Sequence, residues 1–190
     1  MKSYKLLATI LVFVGISLAH ESTQINFKKA KPVWLQNREL EMNVTAGFRS
    51  VFSTKANENV SVKIAASTIY RIFLNGEFIG HGPARGPHGF YRVDEWPFAG
   101  KLKNGKNIVA IEVAGYNSNS YYLLDQPSFC QAEIVSGQKV VAATGKDFES
   151  FQIKNRVQKV QRFSFQRPFI EVYNLDENFN EWQTNPDVKI

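Results

Sequence analysis

The sequence is 190 residues long, with 23 lysines and arginines against 17 acids, a formal charge of +6, and a single cysteine. One cysteine excludes an internal disulfide, and a mild, interspersed positive charge without a recognised motif leaves no footprint for nucleic acid. Once a leader is removed about 170 residues remain, enough to bury a full core in one domain but not to hold a catalytic barrel as well.

Met1 to Lys5 holds two lysines, and Leu6 to Ala19 is a largely apolar, uncharged run of 14 residues. This pattern predicts a secretory signal peptide over 1–19, because the run falls short of the about 20 apolar residues a membrane span needs. Ser17 and Ala19 supply small side chains for a signal peptidase. The mature chain is therefore expected to begin at His20, carry a charge of +4 and reside, unanchored in the membrane, in a secreted or periplasmic location. Cys130, next to Phe129, is expected to be a small buried hydrophobe.

Residues 20–45 read as a lead-in, with room for a short turn between Trp34 and Met42. From Phe48 onward, short runs of alternating apolar residues are broken by Gly, Asn and Pro, which predicts an all-β, antiparallel, jelly-roll-like sandwich over 46–169. Val60, Val62 and Ile64 share one face of a strand, and Tyr70 to Leu74 forms the next. Asn75-Gly76 then suits a type I′ hairpin, whose two central residues need positive φ, with Glu77 to Gly80 as the return strand. The string from Gly80 to Gly89 has too much Gly and Pro for a paired strand and predicts a long loop. Phe90 to about Val93 is expected to resume a strand, and Asp94-Glu95-Trp96-Pro97 to turn the chain. Lys103 to Asn107 is a second turn, Ile108 to Val113 a strand, and Phe129 to Val135 pairs with Lys139 to Ala143 through Ser136-Gly137. The tail 170–190, with four asparagines and five acids, reads as a connector to a missing downstream domain.

Chemistry-bearing residues gather in two places. Arg85 and His88 sit in the long loop, with Tyr91, Asp94 and Trp96 in or just after it. These five either contact a carbohydrate or neighbouring domain, or pin the loop to the sandwich. Between two strands lies Tyr116-Asn117-Ser118-Asn119-Ser120-Tyr121-Tyr122, where Asn117 could bond sugar hydroxyls and Tyr121 stack on a pyranose face; core or interface packing is the competing use. No catalytic pair is expected: Asp94 and Glu95 are neighbours and point to opposite faces of an extended chain. No phosphate cradle is expected either, because the glycine spacing is wrong and Pro83 and Pro87 lack backbone donors. His81 and His88 lack further ligands at metal-binding spacing, so neither a metal nor a cofactor is expected. Arg156, Lys159, Arg162 and Arg167, with Phe163 and Phe165 between them, read as a solvated strand face rather than a nucleic-acid surface.

The order Trp34, Phe48-Arg49-x-x-Phe52, Tyr70-Arg71-Ile72-Phe73-Leu74-Asn75-Gly76-Glu77-Phe78-Ile79-Gly80, Gly82-Pro83 and Leu102-x-x-Gly105-x-Asn107-x-Val109-Ala110 resembles the N-terminal β-sandwich region of bacterial α-L-rhamnosidases. The resemblance runs from about Trp34 to Val135. It implies a galactose-binding-like accessory domain that precedes a helical barrel holding the catalytic carboxylates of an inverting enzyme. The expected partners are accordingly a downstream catalytic domain or a rhamnose-containing polysaccharide. The competing reading is a stand-alone carbohydrate-binding or cell-surface interaction module.

Overall fold

A computed structural model describes residues 25–87 and 90–190. The expected signal peptide and His88 lie outside the described residues. In chain order the strands are β1 (Val44–Thr54), β2 (Val60–Ser67), β3 (Ile69–Leu74), β4 (Glu77–Gly82), β5 (Asp94–Pro97), β6 (Gly105–Gly115), β7 (Phe129–Ser136), β8 (Lys139–Ala143) and β9 (Glu149–Gln152), followed by one helical turn, α1 (Glu181–Thr184). They form two antiparallel sheets, a five-stranded one in the order β4, β3, β6, β1, β9 and a four-stranded one in the order β5, β2, β7, β8.

Alternation decides which residues meet between the sheets, since successive side chains on a strand point to opposite faces. Tyr70, Ile72 and Leu74 of β3, Val109, Ile111 and Val113 of β6, and Ala46, Phe48 and Phe52 of β1 face Val60, Val62 and Ile64 of β2 and Cys130, Ala132 and Ile134 of β7 in one buried cluster. Cys130 is the small buried hydrophobe expected, and burial pushes its thiol pKa up, away from reactivity. Phe48 is fully buried in this layer, and its truncation to alanine would cost about 3–5 kcal/mol.

The Asn75-Gly76 hairpin forms as expected: φ is +52° and +83° at the two residues, and Leu74 pairs with Glu77 across the turn. Polar side chains lock it to the next strand. The Asn75 side-chain oxygen accepts from the Ile108 amide at 2.9 Å, and Asn75 Nδ2 donates to Asn107 Oδ1 at 2.9 Å. The fully buried Asn107 also staples the preceding turn, accepting from Lys103 N at 2.9 Å and donating to its carbonyl at 2.8 Å. The Asn-Gly and Gly-x-Asn signatures are therefore explained by turn closure alone.

Several local expectations are corrected. The strand after the long loop is Asp94–Pro97, pairing with β2 from Ile64↔Asp94 to Ser61↔Pro97, whereas Phe90 to Val93 belongs to the loop. An edge position tolerates Pro97, which removes one donor from a ladder already ending there. The first strand begins at Val44, inside the expected lead-in, and β9 was not anticipated from its short, half-polar sequence. Nor is the basic stretch a solvated strand face. Arg156 is buried, and Arg162 is pinned by donation to the carbonyls of Asn119 (2.7 Å) and Phe165 (3.1 Å).

Both ends of the described chain fold back onto the sandwich. Residues 28–30 direct backbone amides into the carboxylate of Glu133, which is fully buried on the outer side of β7. At the other end Trp182 packs on Ile108, Ala110 and Ile153 and meets Phe151 edge-on at 5.1 Å, so the tail covers part of the outer face of the five-stranded sheet.

Candidate functional site

One end of the sandwich is built from residues 83–87 and 90–93, the 116–128 segment and an irregular excursion over 155–173. Short contacts interlock the three. The Arg85 guanidinium lies 5.2 Å from the centre of the Tyr122 ring, Tyr91 OH donates to Gln126 Oε1 at 3.4 Å, and Tyr121 meets Phe165 edge-on at 5.7 Å. Tyr91 also meets Phe129 edge-on at 4.7 Å. Asn117 is buried, with a φ of +41°. Its side-chain oxygen has no hydrogen-bond partner. Arg85, Tyr91 and Tyr121 are exposed.

Asp94 and Trp96 are placed differently from these. Tyr70 OH donates to Asp94 Oδ2 at 2.5 Å and accepts from Trp96 Nε1 at 3.0 Å, while Arg92 Nε donates to Asp94 Oδ1 at 2.7 Å. Burial, reinforced by the Asp94 carboxylate, raises the Tyr70 pKa well above the usual phenol range, so the hydroxyl stays protonated. Two glycines admit this cluster. A Cβ at Gly82 would stand 2.5 Å from Tyr70 OH and 2.7 Å from Asp94 Oδ2, and one at Gly80 would collide with the Trp96 ring. The first part of the Gly-rich string thus serves close packing, and the polar atoms of Asp94 and Trp96 are directed into the sandwich.

A second polar constellation, not singled out from sequence, lies on the outer face of the five-stranded sheet. Arg71 of β3 is the cross-strand partner of Glu112 of β6, and Arg71 Nη2 stands 2.8 Å from Glu112 Oε2 in an ion pair. Gln183, from α1, donates to Glu112 Oε1 at 3.1 Å. Arg156 Nη2 stands 3.3 Å from Glu171 Oε1, Tyr173 OH donates to Glu171 Oε2 at 2.8 Å, and Arg71 donates to Tyr173 OH at 3.3 Å. Burial raises the Glu112 pKa against the opposing pull of Arg71 and Arg156. For Arg71, burial works against the charge, but Glu112, Tyr173 and Glu171 together outweigh it, so its pKa rises too.

These groups line a trough between the sheet and the tail. It consists of two cavities, of about 270 and 400 Å³, that share Thr45, Arg71, Glu112 and Arg156. Arg71 and Glu112 did leave a trace in the sequence, each a lone charge inside an apolar alternating run. Arg156 stood out only as part of the basic stretch, and Glu171, Tyr173 and Gln183 left no trace, because tertiary folding alone brings them to the sheet.

No family model matches the sequence, and no curated protein matches it. Among solved structures, the GH78 family rhamnosidase of Bacillus sp. GL1 superposes with a TM-score of 0.71 at 26% identity, over 77% of this chain and 16% of that one. The α-L-rhamnosidase of Streptomyces avermitilis complexed with L-rhamnose matches at a TM-score of 0.49 and 12% identity, over 64% of this chain and 12% of that one. A lectin of Pleurotus ostreatus matches at 0.48 and 17% identity, over 74% of this chain and 38% of that one. The GH78 match, together with the two antiparallel sheets, defines the class as a carbohydrate-related β-sandwich module. More particularly, the chain is similar to a domain of rhamnosidases, and it spans 16% of the length of the GH78 enzyme.

Proposed function

We propose that the chain is a non-catalytic β-sandwich module of an exported α-L-rhamnosidase-like glycoside hydrolase, and that its aromatic end packs against a catalytic domain. The match over 77% of this chain but 16% of a GH78 rhamnosidase carries the reading. The interlocked end supports the packing role: Phe90, Tyr121 and Phe163 are each about three-quarters exposed (74%, 77% and 76%), with Phe165 edge-on to Tyr121, and exposed aromatic surface of this kind marks contact sites. Export rests on the apolar leader with lysines before it.

Inverting hydrolysis needs an acid and a base about 6.5–9.5 Å apart across the sugar. Asp94 is occupied by Tyr70 and Arg92, and Glu95 accepts from Ser61 Oγ at 2.6 Å, so neither is set up for that task. The purified chain should leave an aryl α-L-rhamnoside intact at the rate of a buffer blank. Turnover that scales with protein and disappears in Glu112→Gln would overturn the non-catalytic reading. A second reading, a stand-alone carbohydrate-binding module, is favoured by the trough; the gene separates the two, since an open frame for a helical barrel beyond Ile190 fits the first and an in-frame stop the second.

A further inference from the structure

The trough on the outer face of the five-stranded sheet has the features of a ligand site. We propose that it binds a neutral saccharide unit, a deepening that rests on the carbohydrate-related reading of the module but not on an attached enzyme.

Volume comes first. Two adjoining cavities share four residues, and the larger, of about 400 Å³, falls in the range of small-molecule sites, about 300–1,000 Å³, with the smaller, of about 270 Å³, beside it. Chemistry comes next. Thr45 is 4% exposed and lines both cavities, yet its Oγ1 has no hydrogen-bond partner, and in the same wall the Glu112 carboxylate stands 2.8 Å from Arg71. Unsatisfied buried polar atoms are costly, and an unpartnered Thr45 hydroxyl in the wall that carries the Arg71–Glu112 pair suits a group that donates and accepts at once. A sugar hydroxyl is such a group. It can donate to the carboxylate while accepting from Arg71, and a vicinal pair of hydroxyls matches a guanidinium set beside a carboxylate.

The walls fit the rest of a pyranose. Tyr173, 36% exposed, and Phe78, 51% exposed, flank the trough from the tail and from β4, and offer apolar faces to ring C–H groups. Charge selects neutrality: Arg71 and Arg156 are matched by Glu112 and Glu171, which leaves no excess to capture a uronate or sulfate.

The experiment is calorimetric titration of the purified chain with L-rhamnose, D-glucose and D-galacturonate, with amide chemical shifts as a second readout. At least one neutral sugar should bind saturably, at roughly millimolar strength. It should shift the amides of Arg71, Glu112 and Tyr173, and weaken about tenfold or more in Tyr173→Ala and in Glu112→Gln, both still folded by their melting curves. Arg85→Ala and Tyr121→Ala, at the other surface, should bind as the parent does. Binding that survives both trough variants and is lost in Arg85→Ala or Tyr121→Ala would overturn the trough while keeping the module's carbohydrate reading. Preference for galacturonate would overturn the neutral class. No binding of any sugar would sink the trough proposal and the stand-alone binding module together, leaving only the packing role.

Discussion

Glu133→Gln is the substitution whose cost the structure fixes best. The Glu133 carboxylate is fully buried and accepts from Lys28 N at 2.9 and 3.1 Å, Lys29 N at 3.0 Å and Ala30 N at 3.3 Å. Hydrogen bonds to a charged acceptor contribute about 1.5–3 kcal/mol each and neutral ones about 0.5–1.5, so glutamine, which keeps the shape, loses about 1 kcal/mol per donor. Three donors give about 3 kcal/mol. Residues 28 and 29 lie at the surface and can retreat into water, which makes this an upper figure. For a domain of this size the melting temperature should fall by about 6–12 °C. Thermal denaturation measures it, and hydrogen exchange at the amides of Lys28, Lys29 and Ala30 should speed up in the variant. An unchanged melting temperature with unchanged exchange would refute the claim that Glu133 holds the N-terminal segment in place.

Gly76→Val should destabilise by at least about 1–2 kcal/mol, because φ is +83° there and a Cβ would also stand 2.5 Å from Thr184 Cγ2 of the tail; an unaltered melting curve would contradict the hairpin and the docked tail together. Stability should vary with pH in two opposed ways. Glu41, held at about 2 by hydrogen bonds from Arg38 and Gln158, contributes stability that is present above the unfolded carboxylate pKa of about 4.3 and lost as pH falls toward 2. Glu112, raised by burial, does the reverse: above about 4.3 the folded state holds the extra proton, so stability declines as pH rises through its folded pKa. Denaturant midpoints measured across this range should decline less steeply on the alkaline side in Glu112→Gln, and parallel curves for variant and parent would refute the assignment.

What was legible in the sequence was whatever local chemistry decides. The Asn75-Gly76 turn follows from the positive φ it requires, and the strands of the core follow from alternation that one buried face demands. Asp94 to Pro97 was misread because Pro97 and two acids signal a turn, whereas pairing with β2 and the seat that Gly80 leaves for Trp96 hold the segment extended. The same limit explains the site. Arg85, Tyr91 and Tyr121 stood out because aromatic and polar residues cluster along the chain there, yet proximity in sequence does not say whether a side chain faces a ligand or a neighbour, and Arg85 faces Tyr122. The trough depends instead on contacts such as Gln183 with Glu112 and Arg156 with Glu171, whose partners are separated by 71 residues in the first case. The lone charges Arg71 and Glu112 were the available clue. A charge on an apolar strand, opposite its counter-charge on the next strand and half covered by a returning tail, is retained at a desolvation cost, and the buried Thr45 hydroxyl in the same wall is left without a partner. That imbalance is the physical reason to look for a ligand on this face before the aromatic end.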